Sequence, residues 1–185
     1  MIGSHRVEGY AIVSADDMIA DAQGEMPEAI RHPADQAFLQ SELDRAAVVV
    51  HGRHSYEGGP HAPQRKRLIV TRRIRSLAPD PSLPNATLWN PAGATLKAAL
   101  AVVGAGAGVI AIIGGTEVFG LFLPEYDAFH LTRAGLARIP GGRPLFPQVG
   151  ADTRAADVLL RYGLKPGPRR DLDAAMAVTL TSWSR

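Results

Sequence analysis

Cysteine is absent from the sequence, which excludes disulfides, thiolate nucleophiles and cysteine-based zinc sites together. A dominant charge is missing too. Lys and Arg number 20 against 18 Asp and Glu, a net charge of +2, which gives little electrostatic reason to expect nucleic acid as a partner. No apolar run approaches the roughly 20 residues that a membrane helix needs, and the N-terminus lacks the basic and then apolar order of a signal peptide. The six histidines, at positions 5, 32, 51, 54, 61 and 130, show no HExxH pattern and no tight ligand spacing, so no metal is expected. These absences leave a cytoplasmic globular enzyme without membrane or nucleic-acid partners. Its 185 residues, 46% of them hydrophobic, suit one domain over 1–185 with a single core, as a monomer or a homodimer.

Strand-like and helix-like segments alternate, the pattern of an α/β sheet. Apolar runs at Gly9–Ser14, Ala46–Val50, Leu68–Thr71 and Val109–Ile113 read as buried strands. Weaker strands are expected at Thr87–Trp89 and Ala128–Thr132. Pro33 suits the first position of a helix with Asp35 in its first turn and Phe38, Leu39 and Leu43 on one side. Thr95 suits the cap of a second helix carrying Leu96, Leu100 and Val103. Short helices are expected at Thr116–Leu123 and Ala151–Tyr162. The polar stretch 15–32 and the Pro/Gly-rich stretch 135–149 read as loops. Ala174–Trp183 alternates as a final antiparallel strand at a sheet edge.

Two glycine features compete for an anion. Gly104-Ala105-Gly106-Ala107-Gly108 follows a helix and precedes a strand, the reverse of a phosphate loop, so it reads as a helix-to-strand turn. Gly114-Gly115-Thr116 has the required order of strand, glycines and helix. There bare backbone and free N–H groups can approach a pyrophosphate, although a plain tight turn satisfies the same pattern. Gly52-Arg53-His54-Ser55 and Thr71-Arg72-Arg73 also follow strands, and each is either a solvated basic turn or part of an anion site. In an open α/β sheet ligands lie beyond the carboxyl ends of the strands, where these three turns would converge. Asp35 is either a charge complementing its helix or a pocket carboxylate that assists protonation.

Four segments, in order, carry a resemblance to a known family: Met26-Pro27 with Pro33-Ala34-Asp35 and Phe38; Gly52-Arg53-His54-Ser55-Tyr56-Glu57; Arg65-Lys66-Arg67-Leu68-Ile69-Val70-Thr71; and Ile113-Gly114-Gly115-Thr116-Glu117-Val118-Phe119 followed by Leu131-Thr132. The chain resembles the dihydrofolate reductases and, more distantly, the reductase domain of riboflavin biosynthesis. The resemblance implies a three-layer fold with a mainly parallel central sheet and an antiparallel C-terminal strand. It implies NADPH as cofactor and a pterin, first of all 7,8-dihydrofolate, as the small-molecule substrate. The hydride would pass to a C=N carbon.

The resemblance also assigns roles. Asp35 is the implied catalytic carboxyl. Tyr10, Met26, Phe38, Leu39, Arg65, Phe119 and Thr132 are implied at the substrate, with Arg65 meeting the carboxylate of a glutamate tail and Thr132 supporting Asp35. Ile12, Ile19, Gly52, Arg53, His54, Ser55, Thr71, Arg72, Gly114, Gly115, Thr116, Glu117, Val118 and Phe119 are implied at NADPH, with a cis peptide in the glycine pair. The stretch 16–28 would be a loop closing over the nicotinamide. The chain departs from the family at Glu28, where a Trp is usual, at Gln36 and His51, where apolar residues are usual, and at Thr116 after the glycine pair. The pocket is therefore more polar. Dihydromethanopterin or a riboflavin-pathway pyrimidine are alternative substrates, and a binding protein without catalysis is a further alternative.

Overall fold

The computed structural model describes residues 3–185. Its centre is a nine-stranded sheet whose apolar middle strands dictate the layering. The strands in chain order are β1 (His5–Ser14), β3 (Val48–Gly52), β4 (Arg67–Val70), β5 (Leu77–Pro79), β6 (Ala86–Trp89), β7 (Gly108–Ile112), β8 (Ala128–Ala134), β10 (Lys165–Asp173) and β11 (Val178–Ser184). They lie in the spatial order β10-β11-β8-β1-β7-β3-β4-β6-β5. All pairs from β8 across to β6 are parallel, and antiparallel pairs close both ends. The fold is therefore of the expected class. β7 and β3, with Ile110, Ala111, Ile112, Val48, Val49 and Val50 all buried, need cover on both faces.

That cover comes from four helices: α1 (Pro33–Leu43), α2 (Leu96–Val103), α3 (Thr116–Leu121) and α4 (Ala155–Arg161). The main core joins Ala99 and Leu100 of α2, Val118 and Phe119 of α3, and Val158 and Leu159 of α4 to the odd-numbered side chains of β1 and the even-numbered ones of β7. On the opposite face α1 sets Phe38, Leu39 and Leu43 against Tyr10, Val49 and Ala111. Local chemistry starts and stops these helices as expected. Pro33 occupies the first turn of α1, and the His32 side chain caps it by accepting from the Ala34 N–H. Thr95 accepts from the Ala98 N–H at 3.2 Å to start α2, and Gly104 ends it at φ 66°. The Gly104–Gly108 run is thus a helix-to-strand turn.

Four expectations need correction. Ala174–Trp183 is not an edge strand. Residues 174–177 turn the chain, and β11 lies between β8 and β10, so that β10 forms the edge. β10, with the sequence KPGPRRDLD, is exposed along most of its length and carries Pro166 and Pro168. It has no buried alternation to announce it, and only its pairing with β11 makes it a strand. β1 begins at His5 rather than Gly9, because it pairs with β7 from that residue onward. Finally, neither predicted loop is wholly irregular. β2 (Met18–Ala20) pairs antiparallel with β9 (Arg143–Pro144). Asp16 accepts from the Ser14 hydroxyl at 2.6 Å, and the fully buried Asp17 sits 2.6 Å from both Arg133 and Arg154. The first part of the 16–28 stretch is thereby fastened to β8 and α4.

Candidate active site

A cleft of about 1330 Å³ opens along the carboxyl ends of β3, β4, β6 and β7 and continues beneath α1. It is lined by four sets of strand-end residues: 52–57, 70–73, 90–92 and 113 with 115–119. The convergence expected from the three basic and glycine turns is therefore present. A hydrogen bond of 2.6 Å from the Gly52 N–H to the Gly114 carbonyl ties the ends of β3 and β7 together. The Gly114–Gly115 peptide is cis, as the resemblance implies. A Cβ placed on Gly52 would stand 3.6 Å from the Gly115 nitrogen, and one on Gly115 would stand 3.6 Å from the Ser55 Oγ. The glycines thus keep side chains out of the gap between the two turns.

At this end of the cleft Arg53, Arg72 and Arg73 are exposed, and none has a carboxylate partner among the described residues. Thr71 is buried and accepts from the Arg73 N–H at 3.2 Å, which shapes the turn after β4. Glu57 ends the 52–57 turn and anchors it. Arg67 donates to both of its oxygens at 2.6 and 2.7 Å, and Arg65 donates to it at 2.6 Å. The Glu57 carboxyl is held below its ordinary range: burial opposes ionisation, but the two guanidiniums outweigh it.

At the other end, Asp35 stands in the first turn of α1, facing the buried Thr132 of β8. Burial is the larger effect and pushes the Asp35 pKa up, against the Thr132 hydroxyl and the nearby His32, which favour ionisation. One helical turn further on, Phe38 meets Tyr10 and His130 with ring centroids 6.2 and 5.7 Å apart. The rows of β1 and β8 explain the spacing. Tyr10 pairs with His130 and Ile12 with Thr132, so a helix advancing by one turn meets one row after the other.

Of the residues expected at cofactor and substrate, Tyr10, Ile12, Ile19, Met26, Asp35, Phe38, Leu39, Gly52, Arg53, His54, Ser55, Thr71, Arg72, Gly115, Thr116, Glu117, Val118 and Phe119 line this one cleft. Gly114 sits just behind it, and Thr132 is behind Asp35. Arg65 is not in the cleft, which corrects the expectation that it meets a substrate carboxylate. Its side chain is 6% exposed and bound to Glu57, Asp44 and Gln40. The acceptors that claim it lie 8, 21 and 25 positions away, beyond any local pattern. Sequence reasoning also missed His130, His32, Arg31 and Asn90, which all line the cleft. His130 had a usable signal: it stands two residues before Thr132 on the same face of one strand.

Comparison with known proteins agrees with this geometry. The family model described as dihydrofolate reductase matches residues 11–154. The chain belongs to the dihydrofolate reductase family. No curated protein matches the sequence. Among solved structures, it is similar to a riboflavin biosynthesis protein from Shewanella sp. PV-4, at 18% identity and a TM-score of 0.67 over 97% of this chain and 98% of that one. It is similar to dihydrofolate reductase from Enterococcus faecalis complexed with NADP(H), at 18% identity and a TM-score of 0.64 over 97% and 96% of the two chains. It also resembles a diaminohydroxyphosphoribosylaminopyrimidine deaminase/5-amino-6-(5-phosphoribosylamino)uracil reductase from Thermotoga maritima, at 14% identity and a TM-score of 0.64, covering 97% of this chain and 56% of that one. At such identities the likeness is one of fold. Among the described residues no helix is long and apolar enough to cross a membrane.

Proposed function

We propose that the protein is an NADPH-dependent reductase acting on the C=N bond of a dihydropterin, with 7,8-dihydrofolate as the first candidate. The observation that carries this reading is the protonatable carboxyl of Asp35. It sits in the wall of a cleft whose opposite end holds unpaired guanidiniums and a glycine-lined gap. A family member with this arrangement has the parts for a bound dinucleotide beside a flat, amidine-bearing ring.

The residues fit the cofactor by their chemistry. Arg72 and Arg53 supply charge-assisted donors for phosphate, and Arg72 beside Thr71 suits a ribose 2′-phosphate. The bare backbone at Gly52 and Gly115 suits a pyrophosphate, and the start of α3 adds free N–H groups. When bound, NADPH supplies the hydride that adds to the carbon of the C=N bond. The protein's task is alignment, exclusion of water and delivery of a proton to the nitrogen. Asp35 performs the last of these. In its protonated form it donates to the substrate nitrogens, and Thr132 holds its carboxyl in place. Burial keeps more of it protonated near neutrality than an ordinary aspartate.

A second substrate reading draws support from Arg65. With both of its terminal nitrogens committed to Glu57, Asp44 and Gln40, Arg65 is turned away from a glutamate tail in the cleft. This favours a substrate without such a tail, and a riboflavin-pathway pyrimidine is the alternative of the same fold. The deciding experiment is a steady-state screen of NADPH oxidation with dihydrofolate, dihydromethanopterin and the pyrimidine substrate. Turnover of one of the pterins supports the first reading and turnover of the pyrimidine alone supports the second. Binding of NADPH without oxidation by any of them refutes both and leaves a binding protein.

A further inference from the structure

Behind the cleft wall, one sheet row beyond Tyr10, lies a carboxylate that the proposed reaction does not use. Glu8 of β1 is only 9% exposed and does not line the cleft. Its Oε2 accepts from the Tyr10 hydroxyl at 2.7 Å and lies 3.5 Å from the His130 Nε2. Its Oε1 accepts from the Arg6 Nε at 3.0 Å. The other His130 nitrogen, Nδ1, is 2.8 Å from the Ser182 hydroxyl. Tyr10 and His130 stack at 4.8 Å with planes 18° apart, and Phe38 closes against both. Glu42 of α1 and Arg45, just beyond its end, are the other charged groups that act on Tyr10.

An apolar trio would pack here without a carboxylate beneath it, and burying one carries a desolvation cost. The arrangement gives something that apolar packing does not. The tyrosine hydroxyl and the imidazole Nδ1 each hold a hydrogen bond and the imidazole Nε2 faces the same carboxylate, so neither ring can swing out of the stack without losing a contact. The cleft meets ring faces and edges, with no free donor. The Glu8 carboxyl itself is held down at about 2, first by His130, with Tyr10 and Arg6 adding to the effect against the opposing cost of burial.

We propose that Glu8 is a positioning residue for the substrate: it locks Tyr10 and His130 into a rigid wall with Phe38, one row beyond Asp35, and this wall selects a flat, uncharged group attached to the reducible ring. The inference rests on the reading of Asp35 as the anchor of that ring. It deepens that reading by assigning the neighbouring subsite.

Two probes separate the subsites: 2,4-diaminopteridine, which fills only the Asp35 end, and its 6-phenyl derivative, which extends to the wall. Both are titrated calorimetrically into the NADPH-saturated protein. Glu8→Gln keeps the side-chain volume and removes the charge that faces His130. It should weaken the 6-phenyl compound by about tenfold, the scale of one charge-assisted hydrogen bond, while the bare pteridine and NADPH change by less than about twofold. Tyr10→Phe keeps the ring and deletes only its bond to Glu8. It should show the same selective loss, and the double variant should lose less than the two single losses combined. Equal weakening of both probes and NADPH would mean that Glu8 merely supports the fold, and unchanged affinity for the 6-phenyl compound would mean that the wall does not need it. Either result overturns the inference with the Asp35 reading intact, whereas a wild-type protein that binds NADPH but neither pteridine ends both.

Discussion

Replacing Glu57 with Gln is the sharpest perturbation of the cleft's architecture. The Glu57 side chain is 4% exposed, and those of Arg65 and Arg67 are 6% and 2% exposed. Three hydrogen bonds of 2.6–2.7 Å from two guanidiniums converge on its carboxylate. Gln is nearly isosteric, but it turns an –NH₂ toward donors and leaves the buried positive charges uncompensated. Arg65 keeps Asp44 and Gln40. Arg67 keeps the Ala62 carbonyl, the His51 ring nitrogen and the face of the Tyr56 ring, but no carboxylate, so it suffers more. Breaking one side of a buried pair costs about 3–5 kcal/mol. In a domain of this size each kcal/mol lowers Tm by about 2–4 °C, which gives a total of about 6–20 °C. Urea and thermal unfolding followed by tryptophan fluorescence would measure it. The pH dependence is a second signature. The folded-state pKa of Glu57 is depressed, so its contribution is present above the ordinary glutamate range and is lost as pH falls through the lowered value. The stability gap between wild type and variant should therefore shrink in acid. A loss below about 1 kcal/mol, or a gap that persists in acid, would show that the network behaves as a solvated surface cluster and refute the reasoning.

Other outcomes follow from the same geometry. Asp35→Asn should lower kcat by about 10²–10⁴-fold with NADPH affinity unchanged, as read by turnover and fluorescence titration. In the wild type, turnover should fall as pH rises through the elevated Asp35 pKa. Stability should fall over the same window, because the folded state holds that proton more tightly than the unfolded one, and the Asn variant should lack this decline. Arg72→Ala should weaken NADPH on the order of tenfold while leaving NADH nearly unaffected, and an unchanged cofactor preference would remove Arg72 from the phosphate site. Gly9→Ala should cost roughly 1–3 kcal/mol. The added methyl would collide with the Phe129 ring and lie 2.9 Å from Tyr126, and a chemical denaturation midpoint equal to wild type would contradict that packing.

The parts of the fold that local chemistry controls were legible in the sequence. Pro33 and Thr95 start helices, Gly104 ends one, and Val109–Ile113 reads as a buried strand. The strand-end convergence of the cleft followed from their order along the chain. What escaped the sequence depends on partners distant in it. β10 is a strand only because β11 lies beside it. β2 and β9 find each other across more than a hundred residues. Arg65 stands in a basic run that suggests a ligand, yet acceptors from α1 and the 52–57 turn occupy it. His130 lies outside the segments that carry the resemblance, although period-two alternation places it on the same face of β8 as Thr132.

The outermost strands have one more consequence. At one margin β10 carries Pro166 and Pro168 and a string of charged side chains; at the other, β5 ends in Pro79. Proline offers no N–H to an incoming backbone, and charged side chains on an edge disfavour its docking on a second strand. Neither margin can readily template the growth of a continuous ribbon from chain to chain.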